Sequence, residues 1–455
     1  MQVKLLSKPD TNLLTLMSKA ARTCYEATEP VDDKTIDIEN RIFKVGHHTV
    51  IQHLYFTFFI EGVPIGSITL GLHLNMNFNV SSQRSGRFCF GMFSDPDAIK
   101  DIMAFVQEFY PETTDDQRFR IEHYINLCQT TFKDNIDRAT IIAADFIRKE
   151  RPEANDQYIG QNAKKFAQEQ LRMVIPVIFP TAVAFTINLS TLAALYRVSW
   201  DPVMVHLTEE MAQRILSIEP SLDYMFQRQP TPATISQPKP MESNRTWHVN
   251  YPACEIQSVS DLRHVVYPEF GDLHPIDTLY YNPKFMPNNN LTIKTWVMIS
   301  LATMGQDQRH RRINRGPVQW TGLFYCPPIL REMDLTHQIY SIYRIWSDLT
   351  SGLHPALAQT LAPYGTMVEY TKSGDVNAIL HEQEKRLCWC TQQEIYGISS
   401  QLRNKIADEP NCTDEFLAHL APPCFQSGKC GEGVRYCGRD LKIDCDRFFP
   451  LQRKV

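Results

Sequence analysis

Apolar residues at Leu13, Leu14, Met17, Ala20 and Ala21 recur at three- and four-residue intervals, which predicts an amphipathic helix with Thr11 as its cap. A second helical pattern, "TIDIENRIFKVG", ends at Gly46, a natural C-terminal stop. In "HLYFTFFIEG" the pattern changes to aromatic and β-branched side chains, and a strand closed by Gly62 is predicted. From about 96 to 172 the spacing is helical with charged faces, and another apolar helix is predicted through 181 to 197. The stretch "MVIPVIFPTAVAFTINL" (173 to 189) is interrupted by Pro176 and Pro180 and is too short to span a bilayer as a helix, so it reads as buried core.

Between 226 and 247, four prolines and little apolar material predict a linker. Beyond it the order of features begins again. "LTIKTWVMISLATMG" reads as a strand or buried helix, "DLTHQIYSIYRIWSDL" as a helix, and a further helix runs from about 376 to 404. This succession parallels His53 to Arg87, "RMVIPVIFPT" and 181 to 212, so a tandem repeat is expected. At 455 residues the chain exceeds one hydrophobic core. With 43% hydrophobic and 21% charged residues it has an ordinary globular composition. A formal charge of −5 argues against general nucleic-acid binding. No secretory h-region opens the sequence, so twelve reduced cysteines and a cytoplasmic location are expected, with no membrane partner.

Positive charge is concentrated in "GQDQRHRRINRG" (305 to 316), four arginines and one histidine in twelve positions, which asks for an anion. In the first half, "GHHTVIQHLYFTF" is followed by "NFNVSSQRSGRF", with Asn79, Ser82 and Arg84 in fixed spacing. These motifs resemble the flavin-dependent thymidylate synthase family, whose members carry a histidine-rich entry before F-T-F, an R-H-R triplet and N-x-x-S-x-R. The triplet positions here are Leu72, His73 and Leu74, so only the histidine agrees. In the second half "QDQRHR" supplies Gln306, Arg309, His310 and Arg311, yet Gln319 and Thr321 stand where serine and arginine belong. Glu169, Arg172, Pro176 and Asn188 keep the family register in the first half, where Ser199 replaces the late arginine; Arg386, Gln392 and Glu394 keep it in the second, where Gln359 replaces the earlier one.

The resemblance implies an α+β protein: two diverged copies of a mixed sheet with long helices, fused in one chain. The expected divisions are a first copy at 1–225 with a helical insertion within 96–165, a linker at 226–247, a second copy at 248–420 and a cysteine-containing tail at 421–455. Family sites are built across subunits, so each copy's defects would be covered by the other in one composite site. That site would use Ser82, Gln83, Arg84 and Arg172 with Gln306, Arg309 and Arg386 for dUMP. Ser82, Arg84 and Arg309 would be its catalytic residues, and His53, Asn188, Arg309, His310 and Arg311 would hold FAD.

The implied reaction is reductive methylation of dUMP to dTMP, with methylenetetrahydrofolate and NADPH as co-substrates, in a homodimer imitating the family's tetramer. Another C5 modification of a deoxypyrimidine monophosphate, or a non-catalytic nucleotide-binding remnant, are the alternatives. Arginine suits the phosphate because its planar fork gives paired charge-assisted hydrogen bonds. Ser82 has no base in its local sequence to take its proton, which favours a hydrogen-bonding role on the uracil edge, with Arg84 and Arg309 polarising the ring. Taken singly, His53 would be a buried histidine, Asn188 a helix-packing amide and Arg386 a surface charge. Cys424, Cys430, Cys437 and Cys445 are candidates for a structural zinc or are unligated thiols, and Cys388 and Cys390 are expected as buried thiols within a helix.

Overall fold

The computed structural model describes residues 1–74, 78–229, 252–267, 282–433, 436–439 and 453–455. By compactness the chain falls into two units. One comprises Met1–Ser85, Lys100–Thr113 and Ile178–Ile235; the other comprises Gly86–Ile99, Thr114–Val177 and Ser236–Val455. This division cuts across the expected copies at 1–225 and 248–420. The cause is the long helix Asp115–Glu150, which packs against Thr336–Thr350 and whose Tyr124 hydroxyl donates to the Leu361 carbonyl at 3.0 Å.

The first unit is built on an antiparallel sheet of β1 (Gln2–Ser7), β2 (Tyr55–Pro64), β3 (Asn79–Gln83) and β4 (Pro180–Asn188), in the order β1-β2-β4-β3. Alternation places Phe56, Phe58 and Ile60 in the core. Helix Leu13–Arg22 buries Leu13, Met17 and Ala21, as its spacing predicts. Its cap is Asn12 rather than Thr11: the Asn12 side chain is three residues from Thr15, whose N–H it accepts at 3.0 Å. Gly62 does not close its strand. With φ of 74° it occupies a bulge between Glu61 and Val63, and β2 continues to Pro64.

The helix expected through 181 to 197 is instead the central strand β4 followed by helix Leu189–Val198. Pairing on both edges with β2 and β3 favours the β-branched Thr181, Val183, Thr186 and Ile187 in extended form. The pattern "TIDIENRIFKVG" forms only a short turn at Glu39–Phe43, although Gly46 does adopt the left-handed conformation of a stop. Of the expected linker, residues 226–229 pack on the first unit, with Arg228 lying 3.9 Å from the Tyr196 ring centroid; residues 230–247 lie outside the described residues.

The second unit carries β5 (Ala253–Val259), β6 (Thr292–Ser300), β7 (Asn314–Arg315), β8 (Gln319–Phe324) and β9 (Thr366–Asp375). The order is β5-β6-β9-β7, with β8 also on β9. Pairings repeat those of the first sheet. Val3 with Ile60 recurs as Cys254 with Val297, and Phe58 with Phe185 as Thr295 with Lys372, offset by 251 positions on the outer strand, 237 on the next and 187 on the central one. The bulge at Leu5/Ser7 recurs at Ile256/Ser258. The third strand is different: Asn79 pairs with Ile187, whereas Asn314 pairs with Ser373.

Pro176 and Pro363, also 187 positions apart, face each other as an isolated antiparallel bridge within the second unit. Val177 N–H donates to the Ala362 carbonyl at 2.8 Å, and Tyr364 N–H returns the bond to Ile175 at 2.9 Å, a locally twofold exchange. The helix expected at about 376 to 404 is two, Val376–Arg386 and Gln393–Ala407. Cys388 and Cys390 therefore lie in the break between helices, half-buried and exposed respectively, and not inside a helix. Among the described residues no helix is long and apolar enough to cross a membrane.

Candidate anion-binding site

Helix Leu301–Asp307 follows β6 directly, capped by Ser300, and its end delivers the arginine-rich segment. Two of the four arginines there are consumed by the fold. Arg315 donates to Asp307 at 2.6 Å in a buried network that Lys372, at 2.6 Å, and the Tyr370 hydroxyl, at 2.8 Å, complete; Lys372 also pairs with Glu382 at 2.7 Å. Burial opposes the Asp307 charge, but Arg315 and Lys372 outweigh it and hold the carboxyl well below the usual range. Arg312 pairs with Asp375, the cap of helix Val376–Arg386, at 2.6 Å.

Arg309 has no carboxylate partner among the described residues. Its side chain is exposed, yet the surrounding protein and then Arg87 lower its pKa. Arg386 donates from Nη2 to the Gln306 carbonyl at 2.6 Å, while its Nε is buried without a partner. Burial, with Arg309 and Arg87 nearby, draws Arg386 down to about 10. Arg172 is buried beneath the Tyr364 ring at 5.1 Å, with Nε and Nη2 unsatisfied, and burial lowers its pKa as well. Arg87 is anchored by the Glu169 carboxylate and donates to the Cys390 carbonyl at 3.2 Å.

The second unit thus gathers Arg87 and Arg172 from the first half of the sequence with Gln306, Arg309 and Arg386 from the second. Buried donors aimed at no acceptor are costly unless a ligand supplies one, and Arg172, Arg309 and Arg386, each within electrostatic reach of Arg87, call for an anion. Arg87 was not picked out from the sequence, though the arginine three positions after Arg84 was an available signal, and residues 388–392 were read as helix and not as a break. Gln306 donates to the Gln392 side chain, which ties the segment to that break.

His310 is half-buried, its ring 5.7 Å from that of His381, and burial then Arg386 lower its pKa, which keeps the imidazole neutral. Arg311 is half-buried and is lowered by burial, then by Arg315 and Arg309.

The remaining candidates belong to the first unit. Ser82 and Gln83 end β3, Ser82 opposite Ala184 and exposed, its hydroxyl without a hydrogen-bond partner among the described residues. Arg84 is exposed and pairs with Glu61 at 3.3 Å, a surface contact worth little. His53 is exposed at the end of a short 3-10 turn, contrary to the buried position expected of it alone.

Asn188 caps helix Leu189–Val198 by accepting from Thr191 N–H at 2.9 Å, and its buried Nδ2 finds no acceptor. Of the departures from the family pattern, Leu72 is in the core, and the Ser199 hydroxyl donates to Leu195 O at 2.8 Å. Thr321 donates to Met367 O at 2.9 Å, so these positions serve structure. Among the described residues no group of three or more His, Cys, Asp or Glu side chains is arranged to hold a metal ion. Of the zinc candidates, Cys424, Cys430 and Cys437 are among the described residues and Cys445 lies outside them.

Residues 4–219 match the model of the thymidylate synthase complementing protein family. A "Probable flavin-dependent thymidylate synthase" of Mycobacterium phage D29 is 32% identical over 107 residues, covering 20% of this chain and 46% of that protein, so under half of the relative's length is spanned. Thymidylate synthase X from Helicobacter pylori, solved with FAD and dUMP, matches 50% of this chain and 100% of its own at 18% identity, with a TM-score of 0.34. The UMP/dUMP methylase PolB from Streptomyces cacaoi, bound with 5-Br dUMP, matches 50% and 93% at 16% identity, with a TM-score of 0.33. Residues 4–219 therefore carry a likeness to the thymidylate synthase complementing protein family, which a flavin-dependent thymidylate synthase relative shares over part of its length.

Proposed function

We propose that the chain is a flavin-dependent thymidylate synthase built from two diverged copies of the family fold, converting dUMP to dTMP with methylenetetrahydrofolate and NADPH. The repeated strand order and pairing offsets of the two sheets support the duplication. The observation that carries the function is the cluster of Arg87, Arg172, Arg309 and Arg386, in which buried guanidinium nitrogens lack acceptors. The likeness of residues 4–219 to the thymidylate synthase complementing protein family favours a nucleotide phosphate as the anion. Arg309 and Arg386 bind it, Gln306 fixes Arg386 through its carbonyl, and the buried Arg172 presents two N–H groups toward a carbonyl or phosphate oxygen.

Ser82, Gln83 and Arg84 keep the uracil-recognition roles that the family pattern implies. Ser82 acts as a hydrogen-bond donor because no base among the described residues is in contact with its hydroxyl. Arg84 would exchange its exposed Glu61 partner for a pyrimidine carbonyl at little cost. Each unit by itself holds groups of the kind that orient a flavin ring: in the first, the orphaned Asn188 Nδ2, with His53 as the family pattern implies; in the second, the neutral His310, with Arg309 and Arg311 on either side of it in the sequence. The bound flavin would supply hydride chemistry, which no side chain of the protein can replace.

The test is incubation of the purified protein with dUMP, methylenetetrahydrofolate, NADPH and FAD, with mass identification of the nucleotide product. dTMP supports the reading; another C5-substituted product reassigns the one-carbon outcome. No dUMP binding and no FAD uptake would refute the function. A mass in solution of two chains is expected for the homodimer.

A further inference from the structure

The break between helices Val376–Arg386 and Gln393–Ala407 holds the proposed nucleotide site from behind. The Cys390 carbonyl accepts from Arg87 at 3.2 Å, the Thr391 hydroxyl donates to the Arg386 carbonyl at 3.1 Å, and Gln392 receives the Gln306 amide. The same break carries the "CWC" thiols Cys388 and Cys390. Against it is docked the segment 437–439. Arg151 reaches both, with Nη1 to the Cys437 carbonyl at 3.5 Å and Nη2 to the Trp389 carbonyl at 3.1 Å. Arg439 lies 4.8 Å from the Trp389 ring centroid and donates to the Leu387 carbonyl at 3.3 Å, and Gly438 fits so tightly on Ala154 that a Cβ would meet its backbone N at 2.4 Å.

This docking brings the Cys390 sulfur into hydrogen-bond contact with both Cys388 and Cys437. All three are reduced, Cys390 exposed and Cys437 buried. The Cys390 hydrogen bond lowers the Cys437 pKa most, and Arg151, the Arg439 N–H and Arg453 add to it, so the pair presents a thiolate beside a thiol in a cationic setting.

We infer that Cys390 and Cys437 form a redox site: a two-electron oxidant of the peroxide class joins them in a reversible disulfide, which loosens the Arg87 and Arg386 anchors of the nucleotide site. In the first step the Cys437 sulfur attacks peroxide; an S–O bond forms, the O–O bond breaks, and the departing hydroxide takes a proton to leave as water. In the second, the Cys390 sulfur attacks that sulfenic acid; the S–S bond forms, the S–O bond breaks, and hydroxide leaves with the Cys390 proton as a second water. Two thiols are oxidised by two electrons and one peroxide is reduced. A bond between these residues closes a long loop without the small strained ring that a Cys388–Cys390 disulfide would need. The link acts on the Cys390 carbonyl, and Arg87 holds that carbonyl.

The thiol chemistry stands on its own, whereas its effect on the site rests on the nucleotide reading. The experiment therefore has two readouts. Reduced full-length protein is treated with hydrogen peroxide, alkylated and mapped without reductant, and dUMP binding is measured before and after, and again after dithiothreitol. A Cys390–Cys437 peptide that dithiothreitol reverses, with dUMP bound about tenfold more weakly while it is present, is the expected result, tenfold corresponding to one charge-assisted hydrogen bond lost. C437S should lose the cross-link and the peroxide sensitivity of binding, each compared with its own untreated sample, and C424S should retain both.

Cys390 and Cys437 recovered as separately alkylated residues overturn the inference, as does stoichiometric zinc that alkylation releases. A cross-link without change in dUMP affinity overturns the coupling. A cross-link in a protein that binds no dUMP when reduced would count against the nucleotide reading alone.

Discussion

Replacing Arg386 by methionine separates a guanidinium that serves a ligand from one that serves the fold. Among the described residues the Arg386 guanidinium makes one hydrogen bond, to the Gln306 carbonyl at 2.6 Å, and its Nε is buried without a partner. Burial, with Arg309 and Arg87 close by, brings its pKa from the ordinary 12.5 to about 10. Holding the charge in the folded chain then costs about 3 kcal/mol, since one pKa unit is about 1.4 kcal/mol. The hydrogen bond returns about 1 kcal/mol. Methionine retains much of the apolar stem, so ligand-free Arg386→Met should be as stable as the parent or more so, by roughly 0–2 kcal/mol.

The sign with pH follows. A base with a depressed pKa destabilises fully below the folded value, and the penalty fades only as pH rises from about 10 toward 12.5. The gain should therefore be constant across neutral pH. Binding moves the other way. A charge-assisted contact to phosphate is worth about 1.5–3 kcal/mol, so dUMP should bind about 10- to 150-fold more weakly. Urea unfolding with and without dUMP, together with calorimetric titration of dUMP, measures both quantities. A variant that unfolds more than about 2 kcal/mol earlier while keeping parent affinity would refute the reasoning, because Arg386 would then be a structural residue.

Arg309→Ala should abolish turnover, whereas Thr321→Arg should leave kcat/KM of the same order and lower stability by about 1 kcal/mol through loss of the bond to Met367; steady-state assays and urea melts decide both. Asn188→Asp should keep the helix cap and lose FAD retention, while Asn188→Ala should lose both, the cap being worth about 1 kcal/mol. Visible absorbance of the purified proteins, beside their unfolding curves, separates the two effects. Asp307→Asn should cost about 3–5 kcal/mol by leaving the buried Arg315 without its carboxylate and Lys372 with Glu382 alone. Because the Asp307 pKa is depressed, its contribution is complete above the ordinary carboxylate range and fades as pH falls through the lower folded value, so the parent-to-variant gap should shrink in acid.

Local order was legible wherever side-chain period and chemistry agreed. The helix of Leu13, Met17 and Ala21, the strand around Phe58 and the helices after 96 were all written in spacing, because a half-buried element must place apolar groups on one face. The central strand β4 was misread as helix because an element buried on both sides has no polar face to set a period. Motif spacing also singled out Arg172, Gln306, Arg309 and Arg386 as candidates, and the Arg386 guanidinium does meet the Gln306 carbonyl.

Composition alone could not say which of the clustered arginines were spent on the fold. Arg312 and Arg315 found carboxylates at Asp375 and Asp307, partners 63 and 8 positions away, and Arg309 found none among the described residues. Arg87 joined the site, and Cys390 met Cys437, only because the folded chain brought distant segments together. The sequence determined which groups carry charge and reactivity. Tertiary structure decided which of those groups are neutralised and which remain available, since ion pairing and desolvation depend on distance in space and not along the chain.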